Sequence, residues 1–444
     1  MKPTSCCKDH KSMIFKKERF LGSTNTAVSC LVYSTFFTTL FTLCLLFYPL
    51  NITYKAYVIQ EHNQTRTLFQ HKTINPLTKT LMNPFTDRES CDLFKGTWVR
   101  HRRGSLYTNH SCKTIPFQRN CFMHGRKDRD FLHWKWKPYQ CEVHRFDPQI
   151  FLTILQGKTM AFIGDSLARN QMESLLCLLS MAEIPKEIYK DAEDRFTTWE
   201  FKKHNFTLMV LWSQFLITAT ERVINGSATG SFDLHLDRTD SNWSEKLPGI
   251  DYAIFSGAHW FFRQNYLYEH GNLIGCVYCQ APNVTVLGPY FAIRRAFRAA
   301  FKELNDCMNC RNIFSILRTY SPSQFENGEW NTGGVCNKTG PVGKEEFINN
   351  GPDLDYRKIQ MEEVETARIG GKGSGNHVFK VLDVTEIMLM RPDGHPGQHW
   401  GNVWMKGYSD CIHWCLPGPI DTWNQLMLEM IKRQNHYSST HLQM

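Results

Sequence analysis

Short apolar runs and helical stripes alternate through the second half of the chain. Apolar runs at 159–163, 207–212, 251–256, 312–317 and 378–384 are the length of buried strands. Amphipathic stretches at 167–181, 289–305 and 419–433 carry helical spacing. Strands that alternate with helices predict an α/β fold with a mostly parallel sheet covered on both faces. Ligands of such sheets sit at the carboxyl ends of the strands. Three strand ends then stand out: the turn at Gly164-Asp165-Ser166, the segment Ser256–Trp260, and Arg318–Pro322.

The first half has a different texture. Residues 27–50 carry no charge and are mostly apolar, which is long enough to span a bilayer as a helix. Tyr48-Pro49-Leu50 ends the run with no small-x-small cleavage site, so a signal anchor is expected rather than a cleaved signal peptide. Six basic residues precede position 20. They place a tail at 1–26 in the cytoplasm and the remainder in the lumen, a single-pass type II arrangement. Residues 51–88 read as a polar stem without periodicity. Residues 89–150 form a Cys/Trp-rich N-terminal subdomain, and 151–444 an α/β catalytic domain.

Composition supports this topology. The net charge of +9 over 444 residues is modest, and no nucleic-acid motif, P-loop or internal repeat is present. Nucleic acid is therefore not an expected partner. Eight Asn-x-Ser/Thr sequons all follow the apolar run, as do twelve of the 16 cysteines. An even number of cysteines in an oxidising compartment points to disulfides. Cys276-x-x-Cys279 and Cys307-x-x-Cys310 also have the pair spacing of a zinc site, but the stretch between the pairs is longer than usual and lumenal thiols oxidise. His395 and His399 have an i, i+4 spacing, but Pro396-Gly397 breaks any helix between them and no third ligand is evident, so no metal is expected. Aromatic residues interleaved with lysine, as in Trp134–Lys137, suit either a sugar groove or a stapled core.

The chemistry centres on Ser166. Gly164 permits a sharp turn, Asp165 is a good N-cap, and Ser166 opens a helix whose amides and positive dipole end lie beside its hydroxyl. That suits a nucleophile whose reaction passes through an oxyanion. Such a serine needs a base and an acid that orients it. Asp410-Cys411-Ile412-His413 supplies both, three residues apart on one side of a turn, with Cys411 and Cys415 beside it.

With these motifs in place, the sequence resembles the GDSL/SGNH superfamily. The longer strings resemble the plant trichome birefringence-like polysaccharide O-acetyltransferases. They are Cys91–Trp98, Trp134–Pro138, Phe162–Leu176, Gly257–Trp260, Arg318–Pro322, Phe325–Asn331, Arg391–Gly397 and Asp410–Trp423. The resemblance implies a three-layer α/β/α core in a Golgi membrane enzyme. It implies an acetyl-serine on Ser166, with His413 as base and Asp410 as orienting acid, and transfer to a hydroxyl of a hemicellulose, xyloglucan ahead of xylan. The Ser166 amide would serve the oxyanion, with Gly164, Asp165, Arg169, Asn170 and Gly257 nearby. His259, Trp260, Arg391, Asp393 and His395 would belong to the groove, as would Trp136, Lys137, Arg263, Glu329, Trp330 and His399. Disulfides Cys91–Cys141, Cys112–Cys177, Cys121–Cys415 and Cys336–Cys411 are implied, with two more among Cys276, Cys279, Cys307 and Cys310. No bound cofactor is expected. The co-substrate is an acetyl donor, either acetyl-CoA or a membrane acetyl carrier with its own membrane protein. A carbohydrate acetylesterase with the same triad and a non-catalytic wall-polysaccharide-binding protein are the rival readings.

Overall fold

The computed structural model describes residues 91–310, 312–346, 351–371, 377–401 and 407–441. The tail, apolar run and stem expected at 1–88 lie outside them. Among the described residues no helix is long and apolar enough to cross a membrane. In chain order the strands are β1 (Gly96–Arg100), β2 (Trp134–Pro138), β3 (Thr159–Gly164), β4 (Lys186–Lys190), β5 (Phe196–Phe201), β6 (Phe206–Trp212) and β7 (Ile217–Ile224). They continue as β8 (Ser227–Thr239), β9 (Tyr252–Ser256), β10 (Asn265–Glu269), β11 (Asn272–Val277), β12 (Phe314–Arg318) and β13 (Val378–Leu382). The helices are α1 (Pro148–Ile154), α2 (Ser166–Leu179), α3 (Ser241–Ser244), α4 (Gly288–Asp306), α5 (Gly351–Gly370), α6 (Thr385–Leu389) and α7 (Asp421–His441).

A seven-stranded sheet in the order β13-β12-β9-β3-β6-β5-β4 carries the fold. The strands from β13 to β6 are parallel, and β5 and β4 add antiparallel pairs at one edge. The period-2 alternation of β3 sorts its side chains to two cores. Met160 and Phe162 join α2 and α7 residues such as Leu175, Leu176, Leu426 and Met427 on one face. Ala161 and Ile163 join α4 and α5 residues such as Ala296, Phe297 and Ile359 on the other. The core is therefore the expected three-layer α/β/α arrangement, with β3 in the middle and both faces covered.

Two smaller sheets accompany it among the described residues. β1 and β2 pair antiparallel, and Trp98 meets Trp136 edge-on at 5.8 Å. Both indoles are buried and donate their N–H to backbone oxygens, of Ile387 and Leu93 respectively. These aromatics are core, and Trp136, placed in the groove by the sequence reading, is structural. Leu93, Trp98, Tyr107 and Phe146 belong to the same hydrophobic core as α2 and α7. A four-stranded sheet, β11-β10-β8-β7, forms on either side of β9 in the chain between β6 and α4 and was not expected from the sequence.

Among the described residues, six disulfides staple the fold. Cys91–Cys141 and Cys112–Cys177 tie the N-terminal segment to itself and to α2. Cys121–Cys415 and Cys336–Cys411 hold the segment after Asp410. Cys276–Cys279 and Cys307–Cys310 close two short loops, so these four sulfurs are joined as disulfides rather than gathered as zinc ligands.

Candidate active site

The nucleophile turn is shaped by close approach. Gly164 ends β3 at φ +147°, and a Cβ there would overlap the backbone oxygen of Ser256 on β9. Only glycine lets β3 end against β9 in this way. Asp165 then caps α2, its Oδ1 accepting from the Leu167 amide at 3.0 Å. Ser166 is the first residue of α2, so its amide is one of the helix-start N–H groups that lack an intrahelical acceptor.

Ser166 Oγ lies 2.7 Å from His413 Nε2, although the two residues are 247 apart in sequence. His413 Nδ1 faces both oxygens of Asp410, at 2.9 Å and 3.1 Å. Asp410 Oδ1 also accepts from the amides of Ile412 and His413. Its Oδ2 is backed by Arg119 at 3.4 Å. Burial alone would raise the Asp410 pKa. The charge and hydrogen bond of His413, the Arg119 guanidinium and the backbone amide outweigh it and hold the carboxyl well below its usual range. Asp410 is thus an acceptor at physiological pH, which fixes the proton of His413 on Nδ1 and leaves Nε2 free to accept from Ser166.

Burial lowers the His413 pKa below its ordinary 6.5, reinforced by Arg119 and only partly countered by Asp410. A base must be neutral to act, so the acid limb of Ser166 acylation is expected below pH 6.5. Pre-steady-state acylation rates measured against pH check this. A limb above 6.5 would contradict the electrostatics.

The loop that carries His413 is fixed from several sides. The Asn170 side chain on α2 accepts from the Trp414 amide at 2.8 Å and donates to the Trp414 oxygen at 3.3 Å. His395 stacks on Trp414 at 4.1 Å, and its Nδ1 donates to the His413 oxygen at 2.8 Å. Burial pushes the His395 pKa down to about 4, so this imidazole is neutral in its working range. The indole of Trp414 donates to Ser321 Oγ at 3.0 Å. Gly397 and Asp410 exchange backbone hydrogen bonds in an isolated bridge.

A nucleophile, a base and an orienting acid in hydrogen-bond contact at a parallel-sheet strand end can do acyl transfer or acyl hydrolysis. Residues 143–430 match the GDSL/SGNH-like acyl-esterase family found in Pmr5 and Cas1p, and residues 89–142 match the Pmr5 N-terminal domain. Xyloglucan O-acetyltransferase 4 of Populus trichocarpa is 52% identical over 85% of this chain and 89% of its own length. Xyloglucan O-acetyltransferase 2 of Arabidopsis thaliana is 50% identical over 77% and 83%. Protein trichome birefringence-like 20 of Arabidopsis thaliana is 41% identical over 78% and 73%. The chain belongs to the trichome birefringence-like acyl-esterase family.

Within this family member the remaining expected site residues fall into two groups. Asp165 precedes Ser166, and Trp260 stands in the turn after β9, whose Ser256 pairs with Gly164. His259 Nδ1 lies 3.5 Å from Asp165 Oδ2, and its Nε2 donates to the Ser321 oxygen at 2.8 Å. Burial would raise the Asp165 pKa, yet the His259 contact, Arg318 and the Leu167 amide bring it below its ordinary value. Gly257 follows Ser256, the residue paired with Gly164, so its amide stands level with the nucleophile turn. The other group is structural. Asn170 commits its carboxamide oxygen and one N–H to the backbone of Trp414 and so holds the His413 loop. Arg391 and Asp393 form a bidentate, fully buried pair at 2.7 Å and 3.0 Å, and Arg391 also donates to the Phe131 oxygen. They brace the N-terminal segment. His395 supports the His413 loop, and His399 Nδ1 contacts the His124 oxygen. Among the other groove expectations, Trp330 is exposed, and Lys137 and Glu329 stand on the surface.

Sequence reasoning missed Arg119, Gln324 and Glu173. Arg119 stands two residues before Cys121, and the bridge to Cys415 carries it to Asp410. The implied disulfide was the one signal that could have placed it. Gln324 Oε1 lies 2.9 Å from His395 Nε2. Glu173 is buried two turns along α2 from Ser166, and its Oε2 has no partner. Burial lifts its pKa to about 7 despite Arg119 and Arg169. The folded state then holds this proton more tightly than the unfolded chain, so stability falls as pH rises from 4.5 towards 7. Glu173→Gln should therefore raise Tm relative to the parent protein more at pH 8 than at pH 5. Equal differences at the two pH values would sink this assignment.

Proposed function

We propose that the protein acetylates a hydroxyl of a cell-wall hemicellulose, xyloglucan first and xylan next, through an acetyl-serine at Ser166. The observation that carries the reading is the 2.7 Å contact of Ser166 Oγ with His413 Nε2, backed by Asp410. His413 takes the Ser166 proton as Oγ attacks the acetyl carbonyl of the donor. The resulting oxyanion lies beside the Ser166 amide at the start of α2. Collapse expels the donor's leaving group, which recovers the proton from His413. An acceptor hydroxyl then gives its proton to His413, attacks the acetyl-serine and releases Ser166. Asp410 stays ionised throughout and supports the imidazolium.

The same triad could pass the acetyl group to water. Transfer is the reading here because relatives at 50–55% identity are named xyloglucan O-acetyltransferases. The reading includes a Golgi membrane location with the catalytic part in the lumen. Support comes from the charge-free run at 27–50 and from the sequons. Asn205, Asn225, Asn242, Asn283 and Asn337 are all exposed, as glycan acceptors must be. The acetyl donor is acetyl-CoA or a membrane acetyl carrier.

The test is incubation of the protein with an acetyl donor and separate deacetylated xyloglucan and xylan oligosaccharides. Acetylated xyloglucan oligosaccharide as the main product is expected. Acetate release from acetylated polymer without transfer would make the protein an esterase, and binding without either reaction would make it a wall-polysaccharide-binding protein.

A further inference from the structure

Beside Ser166, two arginines and two tryptophans alternate. Arg169 lies one helical turn beyond Ser166 on α2, and its guanidinium sits over the Trp212 ring at 5.0 Å. Trp212 meets Trp260 edge-on at 6.3 Å. The Arg263 guanidinium lies over Trp260 at 4.0 Å. Register places this row at the nucleophile: Trp212 pairs with Gly164 at the end of β6, and Trp260 follows β9, whose Ser256 pairs with Gly164 from the other side. The row therefore spans the carboxyl ends of both strands that flank β3, where parallel sheets bind ligands.

Its charge balance is unusual. Among the described residues neither guanidinium has a carboxylate within 4.0 Å, and the Nε of each is buried without a partner. Glu173 and Glu221 exert only longer-range effects on them, and burial lifts the Glu173 pKa to about 7, so that carboxyl is only partly ionised near neutrality. Half-buried cations are normally paired, because desolvation without compensation is costly. The indoles do not offer free faces to a sugar ring in the usual way. Each carries a guanidinium, and Trp260 is further enclosed by the edges of Phe215 and Phe232. What remains for a ligand is a pair of desolvated, positively charged N–H forks, stiffened by cation–π contact. A neutral glycan does not need that net charge, whereas a phosphate or diphosphate does.

We propose that Arg169 and Arg263, held by Trp212 and Trp260, bind the phosphate-bearing part of the acetyl donor beside Ser166. The inference rests on the acetyl-serine reading and adds the chemical class of the donor. Arg169 is then a donor-binding residue and not an oxyanion group. A nucleotide thioester and a lipid diphosphate share this chemistry, and the choice of probe separates them.

The experiment is calorimetric binding of coenzyme A and of geranyl diphosphate to the full-length protein carrying Ser166→Ala. Removal of Oγ makes the readout independent of acylation, so a failed acetyl-serine reading would not disturb it. At least one probe is expected to bind, with affinity that falls as salt rises. The tighter probe names the source of the phosphate. Arg169→Gln and Arg263→Gln should each weaken that binding by about tenfold or more, while Arg169→Lys, which keeps the charge, should retain most of it. A merely structural role for Arg169 would not distinguish lysine from glutamine in this way. No binding of either probe, or binding unchanged in both glutamine variants, would overturn the proposal.

Discussion

Ser166→Ala abolishes acetyl transfer while the protein stays folded; this is the largest effect expected of any single substitution. The hydroxyl at 2.7 Å from His413 Nε2 is the group placed to carry an acetyl ester. Its removal forfeits the covalent step itself, and loss of such a nucleophile typically lowers kcat by about 10⁴-fold or more. The side chain is only partly buried and the cap is made by Asp165, so thermal stability should move by less than about 1 kcal/mol. Transfer rate and Tm, measured on the same preparation, check both halves. Activity within tenfold of the parent protein would remove Ser166 from the mechanism.

Asp410→Asn should come close behind, with a fall of about 10³–10⁴-fold in kcat. The asparagine is nearly isosteric, so packing around Cys411 and the Gly397 bridge survives. Its charge does not. The amide N–H₂ can turn towards His413 Nδ1, which then becomes an acceptor and carries its proton on Nε2, the nitrogen that should receive the Ser166 proton. Arg119 also loses its counter-charge. The loss should appear in the acylation rate at every pH, with little change in acceptor KM. A loss confined to acceptor KM would assign Asp410 to binding instead.

The parts of the fold that were legible in the sequence are those where one periodicity dominates. β3, β9 and β12 are buried on both faces, so they appear as plain apolar runs, and β6 and the edge strand β13 keep enough buried apolar positions to be read the same way. α2, α4 and α7 carry broad apolar stripes. α5 escaped notice because its buried face includes polar side chains with specific partners. Glu363 accepts from Arg298 at 2.9 Å and 2.7 Å and from Arg294 at 3.1 Å. Gln360 accepts from the Tyr320 amide and donates to the Gly257 oxygen. No local pattern shows that a charged residue will find its partner on another helix. The four-stranded sheet was hidden for a related reason. β7 and most of β8 are exposed or half-exposed, and both carry register shifts, so apolar alternation is weak.

The site divides in the same way. Ser166, Asp410 and His413 were legible because each sits in a short motif whose local geometry is set by its neighbours: a cap, a turn and an i, i+3 spacing. Their supports were not. Asn170 lies beside the nucleophile in sequence and reads as an oxyanion group, yet tertiary folding turns it onto Trp414. Arg391 and Asp393 were placed in the groove, yet they form a buried clamp against Trp98. The same rule governs both: a polar side chain near a reactive one is as often spent on holding the loop as on touching the ligand.

In the proposed mechanism an acetyl group rests on Ser166 between donor and acceptor. Brief reaction with an isotopically labelled acetyl donor in the absence of acceptor, acid quench and peptide mass spectrometry test it most directly. Labelled acetyl is expected on the peptide that contains Ser166, absent in Ser166→Ala and chased onto added xyloglucan oligosaccharide. Transfer of label to the oligosaccharide without any acetylated Ser166, or label retained elsewhere in the Ser166→Ala protein, would contradict it.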